Sequence, residues 1–261
     1  MQLLGKTALV CGSTQGIGLA AAMALADVGA NIVLVARDPD RLATTLSRLP
    51  RPATAQRHGT MAADFNDSAQ ARTALDQWLA GGDVVHVLVN NSGGPPGGPI
   101  VAATADAFLA AFQSLLVTSH LMSQAVIPGM KAAGYGRIIN VVSTSVRQPL
   151  KGLGVSNTVR GAVASWAKTL AGELGPYGIT VNNVLPGATR TGRLDAVIDN
   201  RAKATGHPRE RIEAEMLAEI PLGRFAAPEE IAHAIRFLAS PDAAYITGVS
   251  LPVDGGRISS L

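Results

Sequence analysis

The amino-acid sequence predicts a single α/β domain, in which helices cover both faces of a doubly wound parallel sheet of seven strands. Short β-branched apolar runs alternate with longer amphipathic runs, which is typical of repeated βαβ units. The composition is 47% hydrophobic and only 16% charged, as in a compact globular protein. No linker-like, repeated or low-complexity segment divides the chain, so we expect residues 1–261 to form one domain.

The elements can be placed along the chain from this alternation. The predicted strands are Thr7–Cys11, Asn31–Ala36, Gln56–Ala62, Val84–Asn90, Arg137–Ser143, Thr180–Leu185 and Val249–Val253. The predicted helices are Ile17–Val28, Asp67–Leu79, Ala105–Met130, Gly161–Leu174 and Glu229–Ala239. The charge-rich segment between the last two strands, residues 189–224, has a mixed pattern, and we expect it to form a lid over a substrate site.

Charge and cysteine content exclude several classes of partner. The formal net charge is only +3 and the basic residues are scattered, so nucleic acid is not an expected partner. The single cysteine, Cys11, makes neither an intramolecular disulfide nor an all-cysteine metal site, and no metal site is predicted. The chain shows no export pattern and no apolar run near the roughly 20 residues that cross a membrane. We therefore expect a cytoplasmic protein that binds no membrane.

A glycine-rich motif follows the first predicted strand and opens the first predicted helix. Glycines at such a point let the backbone approach a pyrophosphate, whose charge is met by the N–H groups of the helix terminus. A tight turn without a ligand is the alternative interpretation. The motif predicts a dinucleotide-binding loop, as in the Rossmann fold, formed by Gly12, Ser13, Thr14, Gln15, Gly16, Ile17 and Gly18.

The end of the second predicted strand indicates which dinucleotide is bound. An acidic residue at this point usually holds the adenosine ribose hydroxyls, but here Ala36 is followed directly by Arg37. A guanidinium offers a 2′-phosphate a bidentate, always-charged partner, and no carboxylate repels it. The sequence therefore favours NADP(H) over NAD(H), with an ordinary solvated charge at Arg37 as the alternative.

In the order and spacing of its motifs, nearly the whole chain resembles the short-chain dehydrogenase/reductase family, in particular its 3-oxoacyl-(acyl carrier protein) reductases. Asp64 and Phe65 resemble the family's pair at the adenine edge, and Pro186, Gly187 and Thr191 resemble its turn beside the nicotinamide carboxamide. The segment beside the nicotinamide ribose is matched by Asn90, Asn91, Ser92 and Gly93, and the closing strand by Thr247, Gly248 and residues 253–256. The resemblance implies a small-molecule substrate and a homotetramer or homodimer assembled through the long helices and the closing strand.

The resemblance fails at the catalytic positions. The family transfers a hydride between nicotinamide and a carbonyl or alcohol, using a Ser, a Tyr, a Lys four residues later and an Asn on the preceding long helix. Ser143 is retained, but Ser156 stands in place of the Tyr, Arg160 in place of the Lys and Leu115 in place of the Asn. Arg160 is still able to hold ribose hydroxyls, but a guanidinium stays protonated and does not relay a proton.

The missing phenol removes the family's proton donor. A phenol has a pKa of about 10, whereas an alkyl hydroxyl such as that of Ser156 is a much weaker acid. Loss of a positioned general acid typically costs about 10²–10⁴ in rate. The replacements considered are Lys151, His120, a water held by Ser143 and Ser156, or the substrate itself, each side chain having a plain structural role as its alternative. The three tyrosines are expected to lie far from these positions: Tyr135, Tyr177 and Tyr245.

Three functions remain open from the sequence. The first is an NADP(H)-dependent carbonyl reductase or alcohol dehydrogenase with an atypical proton donor. The second is a catalytically inactive nucleotide-binding sensor or assembly partner, and the third is a non-redox enzyme on the same fold. The substrate is open too, because the predicted lid mixes apolar residues with Arg190, Arg193 and Arg201, while Arg147 is either an anion contact or a surface charge.

Overall fold

The computed structural model describes residues 1–260, and its centre is a parallel sheet of seven strands. The strands are β1 (Thr7–Cys11), β2 (Asn31–Ala36), β3 (Gly59–Ala62), β4 (Val87–Asn90), β5 (Gly136–Val141), β6 (Ile179–Pro186) and β7 (Ser250–Val253). Their order in the sheet is β3-β2-β1-β4-β5-β6-β7. The strand order reverses between β1 and β4, and ligands of such sheets bind at the carboxyl ends of the strands at that point. The predicted fold class is confirmed.

Nine α-helices are found in the described part of the chain. They are α1 (Gly16–Asp27), α2 (Pro39–Ser47), α3 (Ser68–Leu79), α4 (Ala105–Phe112), α5 (Thr118–Ala133), α6 (Gly154–Leu174), α7 (Gly192–Thr205), α8 (Arg209–Ala218) and α9 (Pro228–Ala239). Apolar residues of α1 and α9 pack on one face of the sheet. Those of α3, α5 and α6 pack on the other face. The strands are therefore buried on both sides, which explains their continuous apolar runs.

Several predicted boundaries are wrong. Helix α2, which begins at Pro39 after the cap Asp38, was missed because its apolar stripe is short. The third strand starts at Gly59 rather than Gln56, because the buried Gln56 side chain donates to the carbonyl oxygens of Ala26 and Ala30 instead. Helix α6 begins at Gly154, seven residues before the predicted Gly161, so Ser156 and Arg160 lie on its first two turns.

The predicted long helix over Ala105–Met130 is interrupted by a π-helical turn at Gln113–Val117. The full run, Ala105–Ala133, is long and apolar enough to cross a membrane by length and composition, contrary to our expectation that no stretch came close. In this fold it does not stand alone, because Met122, Val126 and Met130 are buried against the sheet. The run is therefore a helix of the globular domain with one apolar side left uncovered.

The segment 189–224 forms the helices α7 and α8. Their facing sides bury a small apolar cluster of their own, which includes Ile198, Ile212 and Met216. Arg209 on α8 pairs with Asp195 and Asp199 on α7, so the two helices are also joined by charge. The two helices thus form a small unit that packs over the carboxyl ends of β6 and β7.

Candidate active site

The glycine-rich loop between β1 and α1 has the geometry that a pyrophosphate requires. Gly12 and Gly16 have φ angles of +60° and +54°, a backbone region that residues other than glycine rarely adopt. Gln15 precedes α1 at its N-cap, but its side chain accepts no hydrogen bond from the first turn, and that turn carries no acidic residue. The N–H groups of that turn are therefore left for a ligand, and the helix dipole favours an anion there.

Asn91, just after β4, holds the loop in place. Its Nδ2 donates to the carbonyl oxygens of Cys11 and Gly12, at 3.2 and 3.4 Å. A Cβ on Gly18 would lie 2.2 Å from the Gly12 oxygen and 2.7 Å from Asn91 Nδ2. The loop therefore accepts only glycine at position 18, whose role is close packing of the loop on α1. Burial raises the pKa of the neighbouring Cys11 thiol to about 12, so Cys11 is a core residue and not a nucleophile.

The residues expected at the adenosine end lie around the carboxyl ends of β2 and β3. Arg37 is exposed and forms no ion pair among residues 1–260. Sequence reasoning missed Arg41, one turn into α2, whose Nη2 donates to Gln15 Oε1 of the glycine loop at 3.0 Å. Two guanidinium groups therefore flank this end of the site, at a spacing of four residues that the sequence already displays.

Three residues that the sequence assigned to the cofactor form contacts within the protein. The fully buried Ser13 donates from Oγ to the Val35 carbonyl oxygen, so it fastens the loop to β2. The Asp64 carboxylate accepts from the Asn66 backbone N–H, and Phe65 is half-buried beside α5 through its carbonyl contact with Thr118. Ser13, Thr14, Gly18, Arg37, Asp64 and Phe65 do not line the main cleft.

The main cleft opens at the carboxyl ends of β4, β5 and β6, beneath α7, and has a volume of about 380 Å³. It brings together most of the residues that the sequence assigned to the site. From the loops these are Gly12, Gln15, Gly16, Ile17, Asn91, Ser92, Gly93, Pro186, Gly187 and Thr191; from the catalytic positions they are Ser143, Ser156 and Arg160. These residues come from distant parts of the sequence and line one cavity.

Ser143 lies directly after β5, where its Oγ accepts a hydrogen bond from the Ser145 N–H at 3.1 Å. The hydroxyl hydrogen of Ser143 is therefore free to point into the cleft and donate to a substrate oxygen. Ser156 is buried on α6, and its Oγ accepts from Arg160 Nε at 3.2 Å, one helical turn away. Ser156 thus serves as an acceptor that orients a guanidinium.

Arg160 is fixed by the backbone of β5. Its Nη1 donates to the Val142 carbonyl oxygen at 2.6 Å and to that of Val141 at 3.3 Å. Burial, and the nearby positive charge of Arg193, lower the pKa of Arg160 from 12.5 to about 10, which leaves the group charged at neutral pH. In the family that the chain resembles this position holds a Lys, and here it holds a rigidly fixed guanidinium cation.

Leu115 lies in the π-helical turn and is buried with Val155, Val159 and Val163 of α6. A leucine at this position offers no amide to hold a water, and Leu115 does not line the cleft. The π-helical turn itself was not predictable from the apolar pattern, which runs through it without a break.

The replacement proton donors considered from the sequence do not line the cleft. Lys151 is exposed between the lining residues Leu150 and Leu153. His120 accepts from Trp166 Nε1 at 3.3 Å, so it serves a contact between α5 and α6. Arg147 donates to the Ser250 carbonyl oxygen and also lies outside the lining.

The tyrosines also lie outside the lining. Tyr135 donates to the Ala239 carbonyl oxygen on the opposite side of the sheet, Tyr177 stacks under Lys131, and Tyr245 is fully exposed. Among the described lining residues, the ionisable side chains are three arginines: Arg160, Arg193 and Arg257. No side chain in the cleft is a general acid in the range of a phenol, an imidazole or a carboxylic acid.

Sequence reasoning placed Arg193 in the lid but not in the site. It follows Thr191 by two residues, and its Nη2 donates to the Pro95 carbonyl oxygen at 2.6 Å. The signal was available, because Thr191 caps α7 and the second residue of a helix stays close to its cap. Gly94, next to Pro95, was missed as well, and it lines the cleft between Arg160 and Arg193.

The loop, the sheet order and the cleft together define a nucleotide-binding protein of the doubly wound α/β class. Comparison with known proteins identifies the family. The family model described as enoyl-(acyl carrier protein) reductase matches residues 12–257. The 3-oxoacyl-(acyl carrier protein) reductase FabG of Vibrio cholerae is 33% identical over 256 residues, which cover 98% of each chain. The chain therefore belongs to the short-chain dehydrogenase/reductase family of oxidoreductases, which act on CH–OH and C=O groups.

Two solved structures are similar over almost their whole length. L-Sorbose reductase of Gluconobacter frateurii, in complex with NADPH and L-sorbose, has a TM-score of 0.91 and 31% identity and covers 100% of both chains. YwfH, an NADPH-dependent reductase involved in bacilysin biosynthesis, has a TM-score of 0.92 and 27% identity, with 98% of this chain and 99% of YwfH covered. Both similar structures are of reductases that use NADPH, and the glycine loop described above has the geometry of a dinucleotide-binding loop.

Proposed function

We propose that the protein is an NADP(H)-dependent carbonyl reductase whose proton comes from solvent and not from a side chain. The observation that carries this proposal is the combination found in one cleft: an uncapped helix terminus behind a glycine loop, the hydroxyl of Ser143, and no side-chain general acid. When bound, NADPH supplies a hydride to the carbonyl carbon and leaves as NADP⁺, and the carbonyl oxygen takes up one proton from water.

Each residue of the cleft has a distinct task in this proposal. Ser143 donates a hydrogen bond to the carbonyl oxygen and stabilises the negative charge that develops on it. Arg160, held by Val142 and Ser156, supplies a fixed positive charge beside that oxygen. Ser156 is a positioning residue, because its hydroxyl acts through the Arg160 guanidinium.

The proposed preference for the phosphorylated cofactor rests on Arg37 and Arg41. Arg37 follows β2 directly, Arg41 contacts the glycine loop, and neither pairs with a carboxylate among residues 1–260. A 2′-phosphate would be held between two guanidinium groups, whereas the 2′-hydroxyl of NADH gives them no charge to bind.

The preference is tested by the Arg37→Ala variant. We expect it to weaken NADPH binding by about tenfold to a hundredfold, the worth of a charge-assisted hydrogen bond, and to leave NADH binding unchanged. Isothermal titration of both cofactors measures this. The control is Arg57→Ala, because Arg57 is equally exposed but lies before β3, at the opposite end of the strands. Equal losses of NADPH and NADH affinity in Arg37→Ala would contradict the assignment.

A second candidate function is nucleotide binding without turnover, as in a sensor or assembly partner. The observation that favours it is the replacement of three catalytic positions by Ser156, Arg160 and Leu115. The two candidates are separated by a screen of aldehydes, ketones and oxo acids that follows NADPH absorbance. Oxidation of NADPH that depends on one carbonyl compound supports the reductase, and tight NADPH binding with no oxidation across the panel supports the binding protein.

We also propose a cytoplasmic homo-oligomer, a dimer or tetramer, assembled through the helical run Ala105–Ala133. Only 22% of the most apolar window of that run is buried, and Leu109 and Phe112 are 68% and 42% exposed. Burying such a face in a second copy is favourable. We expect light scattering to show more than one chain per particle and Leu109→Glu to shift the protein toward the monomer; an unchanged mass would contradict this interface.

The buried, unpaired Cys11 is in keeping with a reducing compartment.

A further inference from the structure

Two guanidinium groups converge on the same glycine in the cleft. A methyl group placed on Gly94 would lie 3.1 Å from Arg160 Nη2 and 3.4 Å from Arg193 Nη2. The two side chains come from different elements, α6 and α7, so their approach is a product of the fold. Gly94 is the residue whose lack of a side chain leaves room for both.

Neither guanidinium is neutralised by a carboxylate. Within residues 1–260, the Arg160 nitrogens Nε and Nη1 donate to Ser156 and to backbone oxygens, while Arg193 donates to the Pro95 oxygen. The third arginine of the cleft, Arg257, pairs with Glu219. Four other arginines of segment 189–224 are paired with carboxylates, Arg201, Arg209, Arg211 and Arg224, while Arg190 lies over the Phe225 ring. Arg160 and Arg193 are thus two like charges held close together without a carboxylate partner among the described residues.

Holding the two positive charges close together has an electrostatic cost, which falls mainly on Arg160 because Arg193 is exposed to solvent. Burial lowers the pKa of both groups, and the nearby charge of Arg193 lowers the pKa of Arg160 further. A bound anion would offset that cost, and a carboxylate matches the planar fork of a guanidinium. The free edge of Arg160, Nη2, is the one directed at Gly94.

One part of the cleft wall is apolar. Beside the two guanidinium groups the wall is formed by aliphatic side chains of the loop before α6 and of the lid: Leu150, Leu153, Leu194, Val197 and Met216. We propose that the substrate is a carboxylate with an apolar body, whose carboxylate binds between Arg160 and Arg193 while its body packs on these residues. This inference rests on the proposed reductase and names its class of substrate.

Binding to the NADP⁺-saturated protein tests this inference without requiring turnover. The probes are matched pairs of a carboxylate and its neutral amide: butanoate, hexanoate, 4-methylpentanoate and phenylacetate, each beside its amide. We expect at least one carboxylate to bind about tenfold or more tightly than its amide, the worth of hydrogen bonds to charged groups. In Arg193→Gln this preference should fall to near unity, and Arg193→Lys should keep part of it.

The control is Arg211→Gln, which removes the same charge from the lid at a side chain 61% exposed and paired with Glu215. It should leave the preference unchanged. The inference is overturned if no carboxylate binds better than its amide, or if the preference survives in Arg193→Gln. It is also overturned if Arg193→Gln weakens NADPH instead, since Arg193 would then serve the cofactor phosphates. Reduction of neutral ketones with no carboxylate preference would refute this inference and leave the proposed reductase standing.

Discussion

Replacing Gly18 with alanine is expected to abolish dinucleotide binding and to destabilise the fold. The new Cβ would lie 2.2 Å from the Gly12 carbonyl oxygen, a backbone atom that moves only with the whole glycine loop. Overpacking of this kind costs about 1–3 kcal/mol of unfolding free energy. A shifted loop would also lose at least two N–H contacts to the pyrophosphate, about a hundredfold or more in affinity.

The matched control is Gly172→Ala on the exposed face of α6, where no atom lies within 4 Å of the added Cβ. Because alanine is the better helix former, this variant should gain up to about 1 kcal/mol of stability and keep its NADPH affinity. Chemical denaturation and isothermal titration measure both quantities. If Gly18→Ala bound NADPH as tightly as wild type, the loop would not be the pyrophosphate site that its geometry indicates.

Ser143→Ala is expected to lower the turnover number by about 10²-fold or more, as removal of one hydrogen-bond donor to a developing oxyanion does. NADPH affinity should stay unchanged, because the Ser143 hydroxyl points toward the substrate side of the cleft in the proposed mechanism. The backbone should tolerate the change, since the only bond lost within the protein is the one accepted from Ser145 N–H.

Ser145→Ala provides the comparison for that variant. The Ser145 Oγ is buried and has no hydrogen-bond partner within the described residues, so its removal relieves a buried polar atom and leaves the cleft intact. Steady-state kinetics on the substrate found by the carbonyl screen should show Ser145→Ala close to wild type. Equal losses in the two variants would mean that Ser143 acts on the structure of the β5 end and not on the substrate.

The sequence predicts the fold well, because its evidence is local and repeated. Continuous apolar runs such as those of β4 and β6 are the mark of strands buried on both faces, and the Gly12–Gly18 spacing marks the turn into α1. The elements that the sequence missed lack such a signal. Helix α2 is too short to show its period, and the π-helical turn at Gln113–Val117 has the same apolar character as the helices around it.

The site is predictable only where its residues follow strands. Ser143, Asn91 and Thr191 line the same cleft because each follows a parallel strand by one to five residues, and the carboxyl ends of those strands meet. Arg160 and Arg193 approach each other because of how α7 is oriented relative to α6, and no pattern in the sequence indicates that orientation. For His120 the sequence left a catalytic role and a contact between helices open, and its hydrogen bond with Trp166 agrees with the contact between helices.

The most direct test of the proposed reductase is transfer of deuterium from NADPH labelled at C4 of the nicotinamide, on either face, to a panel of aldehydes, ketones and oxo acids. The products formed by the wild-type protein and by the Ser156→Tyr/Arg160→Lys variant would be analysed by mass spectrometry. We predict deuterium on the former carbonyl carbon with the wild-type protein. Tight NADPH binding with no deuterium in any wild-type product, and label transfer only after the double substitution, would contradict the account and identify a protein that binds the cofactor without reacting it.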